Sequence, residues 1–126
     1  MSDPALDAVR QFMVALDRTF FNSKLRADTI KLSWLPHNAR ADGACNPYTR
    51  EIVIAPHLIS TPQRRGLVTV LIHELCHLAT RAETIDHGPR WQAVMRRCGI
   101  DPMSGAYINS TIDAWITMHL ARGPLR

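Results

Sequence analysis

The sequence predicts one α+β domain, with a helix at the start, a small sheet next and helices in the second half. Its length of 126 residues is that of a single domain, so we treat residues 1–126 as one unit. Hydrophobic residues make up 46% and charged residues 21%, as is typical of globular proteins. Apolar residues recur with a helical period near both ends of the chain and with a strand period between them.

The N-terminal helix is predicted by Asp3 and Pro4, which combine a capping carboxylate with proline at the first helical position. Apolar residues then recur at spacings of three and four and form one stripe along about five turns. The members of this stripe are Leu6, Val9, Met13, Leu16 and Phe20. Asn22 and Ser23 end the helix.

Three short segments in the middle of the chain predict a small sheet, which we expect to be antiparallel. Residues 29–35 alternate between apolar and polar side chains. Residues 40–46 contain Gly43, which marks a bulge or a close approach of the backbone. Residues 51–55 predict a more buried strand, after a turn at 46–49.

Three further helices are predicted in the second half. The first begins at a Thr-Pro pair and spans residues 61–81. The second spans residues 90–98 and is followed by Gly99, a residue suited to end a helix. The third begins at Ser110, where a Ser-Thr-Ile-Asp segment resembles a capping box, and stops before Gly123.

Composition excludes several classes of protein. No run approaches the roughly 18 apolar residues of a membrane span, and Asp3 and Asp7 lie where a signal peptide is positively charged. We therefore expect a cytoplasmic protein.

The three cysteines of the chain are Cys45, Cys76 and Cys98. They are odd in number and form no CxxC pair, which predicts reduced thiols rather than a disulfide framework. The net charge of +4 permits a polyanionic partner without requiring one.

The strongest chemical signal is the segment HELCH at residues 73–77, in the middle of a predicted helix. Positions i and i+4 of a helix lie about 40° apart around the axis and about 6 Å apart along it. The imidazoles of His73 and His77 can therefore bind one zinc ion, while Glu74 lies beside the metal and can take a proton from water. The alternative is an amphipathic helix whose polar face carries these residues by chance.

A catalytic zinc usually has a third protein ligand, for which Glu83, Asp86 and His87 are the downstream candidates. Glu83 occupies the place of the third histidine in a metzincin motif, but Thr80 stands where that motif has glycine. His87 is preferred because imidazole suits zinc and because the Gly-Pro pair after it fixes a turn before a helix. Asp86 is better suited to orienting a histidine.

Aromatic residues give weaker signals. Tyr107, and less so Tyr48, is a candidate for polarising a tetrahedral intermediate beside the metal. Three tryptophans at periodic positions are predicted to lie in the core: Trp34, Trp91 and Trp115.

The segments HELCHLA and DHGPRWQAVMRRCG, with ADGACN and REIVIAPHL upstream, resemble the SprT-like zinc metalloprotease domain over roughly residues 5–100. This resemblance implies a zincin-like fold in which His73, His77 and His87 bind Zn²⁺ and Glu74 is catalytic. Family members that act in genome maintenance cleave proteins bound to DNA, which implies a protein substrate and makes DNA a candidate partner.

The sequence therefore predicts a zinc-dependent endopeptidase. The alternative is a non-catalytic, zinc-containing DNA-binding module on a zincin scaffold. The presence of Glu74 counts against it, because a structural zinc site is closed by a fourth ligand and needs no such carboxylate. The paired cysteines of the zinc ribbon that many family members carry are missing here, so we expect a catalytic domain only, acting as a monomer.

Overall fold

A computed structural model describes residues 3–125 of the chain. Within this range lie four α-helices and three strands, and short 3₁₀ turns precede the first strand and the second helix. In chain order the elements are α1 (Pro4–Phe21), β1 (Lys31–Trp34), β2 (Gly43–Asn46), β3 (Glu51–Ile54), α2 (Arg64–Ala79), α3 (Pro89–Arg97) and α4 (Ser110–Arg122). The predicted α+β class is confirmed. No helix in the described range is long and apolar enough to cross a membrane.

The start of α1 is capped as predicted. The Asp3 carboxylate accepts a hydrogen bond from the backbone N–H of Leu6 at 3.1 Å. Its other oxygen accepts one from Nε1 of Trp34 at 2.8 Å, which ties the helix to the end of β1. These two bonds, the one from Trp34 first, lower the pKa of Asp3. The helix ends at Asn22, whose φ of 52° is left-handed.

The sheet is mixed, with strand order β1-β3-β2. Strand β2 pairs antiparallel with β3, as predicted, but β1 pairs parallel with β3, so the expectation of an antiparallel sheet is wrong for that pair. After β1 the chain crosses to the far edge of the sheet, forms β2 there and returns through a tight turn into the central position. Alternation of apolar residues shows which face of a strand is buried, but it carries no information on direction.

Helix α2 starts later than predicted, because residues 61–63 form a 3₁₀ turn, and it ends at Ala79. The cap of α4 also differs from the prediction. Asn109, not Ser110, precedes the helix and accepts a hydrogen bond from the N–H of Ile112 at 3.1 Å. The acid of the predicted capping box, Asp113, forms an ion pair with Arg65 of α2 instead.

The core lies between the sheet and the helices, with α2 at its centre. Helix α2 packs against β2 on one side and against α1, α3 and α4 on others. Its leucine stripe is buried as predicted: Leu67, Leu71, Leu75 and Leu78. The three cysteines are free, and two of them, Cys76 and Cys98, are fully inside the core.

Gly43 marks the closest approach between sheet and helix. A Cβ atom at this position would lie 2.6 Å from Cγ1 of Val70 and 3.2 Å from the carbonyl oxygen of Val53. Only glycine lets β2 lie this close to α2, beside Glu74. The close approach predicted from the sequence is therefore confirmed.

Candidate active site

Three histidines converge at the C-terminal half of α2. His73 and His77 lie one helical turn apart on the same face, and His87 reaches them from the loop between α2 and α3. One ring nitrogen from each lies within 4.8 Å of the other two. Nε2 of His87 is 3.1 Å from Nε2 of His73. The structure thus brings together the three residues predicted as ligands.

The loop holds His87 in an unusual backbone conformation. Its φ is 53°, which is uncommon for a residue other than glycine and marks a position determined by its surroundings. The amide of Gln92 donates a hydrogen bond to the carbonyl oxygen of His87 at 2.9 Å. A carboxylate oxygen of Asp86 lies 3.5 Å from Nδ1 of His87, on the side of the ring away from His73.

Glu74 is the buried acid of the site. Its side chain is only 5% exposed, and its Oε1 lies 3.9 Å from Nε2 of His73. Burial, and then the charge of Asp86, raise the pKa of Glu74 to about 7. A divalent cation next to this carboxylate has the opposite effect, because it favours the charged form.

His73 and His77 have lowered pKa values, which favours the neutral imidazole that binds metal. Burial first, and then the neighbouring His77 and His87, lower the pKa of His73 to about 4. Burial and His87 also lower the pKa of His77.

The donor set fits a transition-metal ion. Two nitrogens bound to one tetrahedral zinc lie about 3.3 Å apart, given a bond length of about 2.0–2.1 Å. The separation of 3.1 Å between the His73 and His87 nitrogens is close to that value. Three imidazoles suit zinc and similar borderline ions, whereas Mg²⁺ and Ca²⁺ prefer oxygen ligands.

Trp91 has a role that the sequence did not reveal. It is buried, as predicted, but its ring packs against all three histidines, at centroid distances of 4.7 Å from His73, 5.3 Å from His77 and 4.4 Å from His87. Its Nε1 donates to the carbonyl oxygen of His73 at 3.3 Å. Helical spacing indicated a buried position here, but no local pattern indicates what a buried ring touches.

Glu83 does not join the cluster. Both of its carboxylate oxygens accept hydrogen bonds from backbone N–H groups at the start of α3, those of Arg90 and Trp91. His87, not Glu83 or Asp86, is the third member of the group that could hold a metal.

The cluster opens into a cavity of about 590 Å³, bounded by β2, the end of α2 and the loop after it. Tyr48 lines this cavity, with its hydroxyl 3.4 Å from the carbonyl oxygen of Arg81. Tyr107 lies elsewhere, with the guanidinium of Arg65 5.1 Å above its ring. Of the two candidate tyrosines, Tyr48 therefore lies at the cavity and Tyr107 does not line it.

The sequence matches the SprT-like family over residues 9–112. The chain belongs to the SprT-like family. The resemblance seen in the sequence is thereby confirmed, and the matched span includes all of α2 and α3 with the loop between them.

This SprT-like chain also shares its fold with a solved protein. The crystal structure of the metallopeptidase zymogen of Pyrococcus abyssi abylysin is similar, with a TM-score of 0.53 and 18% identity over 94% of this chain and 97% of that chain. The likeness agrees with the predicted zincin-like fold. No curated protein matches the chain in sequence. Family and fold together are consistent with a metalloprotease-type function.

Proposed function

We propose that this SprT-like protein is a zinc-dependent endopeptidase. The observation that carries the proposal is the convergence of His73, His77 and His87, with the buried carboxylate of Glu74 next to them, at the wall of an open cavity. A closed structural site has four protein ligands, whereas three ligands and an adjacent acid are typical of hydrolytic sites.

The three imidazoles would hold the zinc ion. When bound, zinc supplies a Lewis acid that polarises the carbonyl group of the scissile peptide and makes a water molecule more acidic. His87 completes the ligand set from outside the helix, so the cluster forms only when the loop after α2 is in place.

Glu74 moves the proton. Its carboxylate accepts a proton from the attacking water and later delivers it to the nitrogen of the leaving amine. Its burial suits this exchange, because burial raises the pKa of the carboxyl group and so opposes the lowering that a bound cation causes.

Proteins associated with DNA are the proposed substrates. The support is the family resemblance together with the net charge of +4 and exposed arginines at the cavity and along α3. These are Arg81 at the cavity, Arg90 at the start of α3, and Arg96 and Arg97 at its end. Exposed arginines can contact phosphates without reading the base sequence.

The test replaces Glu74 by Gln, which keeps the shape of the side chain and removes its ability to accept a proton. We expect E74Q to bind zinc as the parent does and to lose peptide cleavage by at least about 100-fold. Zinc content and cleavage of a DNA-binding protein, with and without single-stranded DNA, are measured side by side. Equal turnover in E74Q and parent would contradict the mechanism.

The ligand set is tested separately with H87A. We expect this variant to lose most of the bound zinc, whereas H37A, which removes an exposed imidazole from the β1–β2 connection, keeps it. Unchanged zinc stoichiometry in H87A would remove His87 from the site.

The second candidate is a non-catalytic DNA-binding module, which the exposed arginines favour. Salt-dependent binding to DNA by a zinc-loaded protein that cleaves neither itself nor other proteins would support it.

A further inference from the structure

We propose that Glu83 is a positioning residue, which locks the loop carrying His87 to the start of α3 and thereby places the third ligand. This inference rests on one part of the proposed function, the binding of metal by His87, and does not depend on peptide cleavage. The role assigned to Glu83 itself concerns the order of the loop, which can be measured without metal.

Helix α3 needs an acceptor at its start. The first N–H groups of a helix have no partner within it, and a side chain at the capping position usually supplies one. Here the capping residue is Gly88, which has no side chain, and the first helical residue is Pro89, which has no N–H. The N–H groups of the next two residues, Arg90 and Trp91, therefore depend on an acceptor from elsewhere.

Glu83 supplies that acceptor from the other end of the loop. One oxygen accepts from the N–H of Arg90 at 2.8 Å and the other from the N–H of Trp91 at 3.0 Å. Hydrogen bonds to a carboxylate are stronger than neutral ones, and negative charge is favoured at the N-terminus of a helix. One side chain thus joins both ends of the segment that contains His87.

The Glu83 carboxylate lies directly against Gly88. A Cβ atom at Gly88 would lie 2.8 Å from Cδ of Glu83 and 3.0 Å from each of its oxygens. The φ of Gly88 is −73°, which any residue adopts, so the backbone conformation does not require glycine there. Glycine at this position instead leaves room for the Glu83 side chain.

Glu83 is connected to the three histidines through two sets of contacts. The carbonyl oxygen of His87 accepts a hydrogen bond from Gln92 in the first turns of α3, the helix that Glu83 caps. Trp91, whose N–H is bound by Glu83, packs its ring against His73, His77 and His87. Release of the carboxylate would therefore loosen both the backbone of His87 and the ring behind the cluster.

Zinc affinity is the first measurement, made by competition with a chromophoric chelator on E83Q, E83A and the parent. E83Q keeps one acceptor oxygen and replaces the other by an NH₂ group, whereas E83A removes both. We expect affinity to fall by about 10–100-fold in E83A and by less in E83Q. The visible absorption bands of the Co²⁺-loaded protein should change in position or intensity, because the coordination of His87 is altered.

The control is E51Q, which removes an exposed carboxylate that pairs with Lys31 of β1 and does not line the cavity. Zinc affinity and the Co²⁺ spectrum should be the same in E51Q and in the parent. A role of Glu83 in stability alone would lower the melting temperature of the metal-free protein and leave both of these measurements unchanged in the folded state.

Gly88 offers an independent perturbation, because G88A displaces the carboxylate without removing it. If this substitution acts through Glu83, the double variant E83A/G88A will bind zinc about as well as E83A, and not with the product of the two losses. Additive losses would show that Gly88 acts on the site independently of Glu83, and would overturn the inference that glycine at this position makes room for the carboxylate.

Amide hydrogen exchange in the metal-free protein decides the loop-ordering role without zinc. We expect the segment 84–91 to exchange about tenfold faster or more in E83A than in the parent, with α1 unchanged. Exchange and zinc affinity that both match the parent would overturn the inference. A parent that binds zinc but cleaves nothing would instead contradict only the proposed peptidase.

Discussion

The two parts of the histidine cluster are held in different ways. His73 and His77 belong to α2, where the backbone hydrogen bonds of the helix set their spacing and the fully buried Leu71 and Leu75 fix the helix in the core. His87 belongs to a loop, its side chain is 44% exposed, and a few polar contacts hold it. Helix packing therefore positions two of the histidines, whereas specific polar contacts position the third.

This difference separates two kinds of variant. Substitutions in the core beneath α2 should lower global stability and displace His73 and His77 together, because the helix moves as one body. Changes in the loop should lower metal affinity with a smaller effect on stability, because little apolar surface is buried there. Three substitutions test this distinction, in order of decreasing effect.

The largest effect is expected from L75A. Leu75 is fully buried in α2 between Glu74 and Cys76, and its removal leaves a cavity under the helix. The free energy of unfolding should fall by about 2–5 kcal/mol, measured by urea denaturation with chelator present. The control M103A truncates a side chain that is 82% exposed and should change stability by less than about 0.5 kcal/mol. A loss below about 1 kcal/mol in L75A would show that α2 is less firmly packed than the structure indicates.

An intermediate effect is expected from G43A at the contact between β2 and α2. The added methyl meets Val70 and the backbone oxygen of Val53, so strand and helix must separate, at a cost of about 1–3 kcal/mol. The control is G66A, in α2, where the nearest atom to an added Cβ is 3.9 Å away. That variant should gain up to about 1 kcal/mol, because alanine favours a helix. Equal stability of the two variants would contradict the close approach.

The smallest effect is expected from W91F. Phenylalanine keeps an aromatic ring behind the three histidines but removes the N–H that Trp91 donates to the carbonyl oxygen of His73. The loss of this hydrogen bond should cost about 1 kcal/mol, and zinc affinity should fall by no more than about tenfold. The same chelator competition compares W91F with E83A. A larger loss of zinc affinity in W91F would show that Trp91 contributes more than the Glu83 carboxylate to the position of His87.

Local sequence patterns predicted those structural features that depend on residues close to one another in the sequence. The capping of α1 by Asp3, the four helices, the buried stripe of α2 and the approach at Gly43 follow from spacing and residue type, and the structure agrees with each. The cap at Asn109 was missed because Asn, Ser and Thr in succession all suit an N-cap, and spacing alone chose the wrong one. The parallel pairing of β1 was missed because alternation carries no direction.

The amino-acid order alone determined the spacing of His73, Glu74 and His77, since one helix carries all three and its geometry is the same in any protein. Only the folded chain decided that His87 comes within 3.1 Å of His73, that Trp91 touches all three rings, and that Glu83 serves the backbone of α3 rather than the metal. The reason is physical. A helix sets distances between residues four apart, whereas the path of a loop depends on contacts with distant parts of the chain that no local pattern encodes.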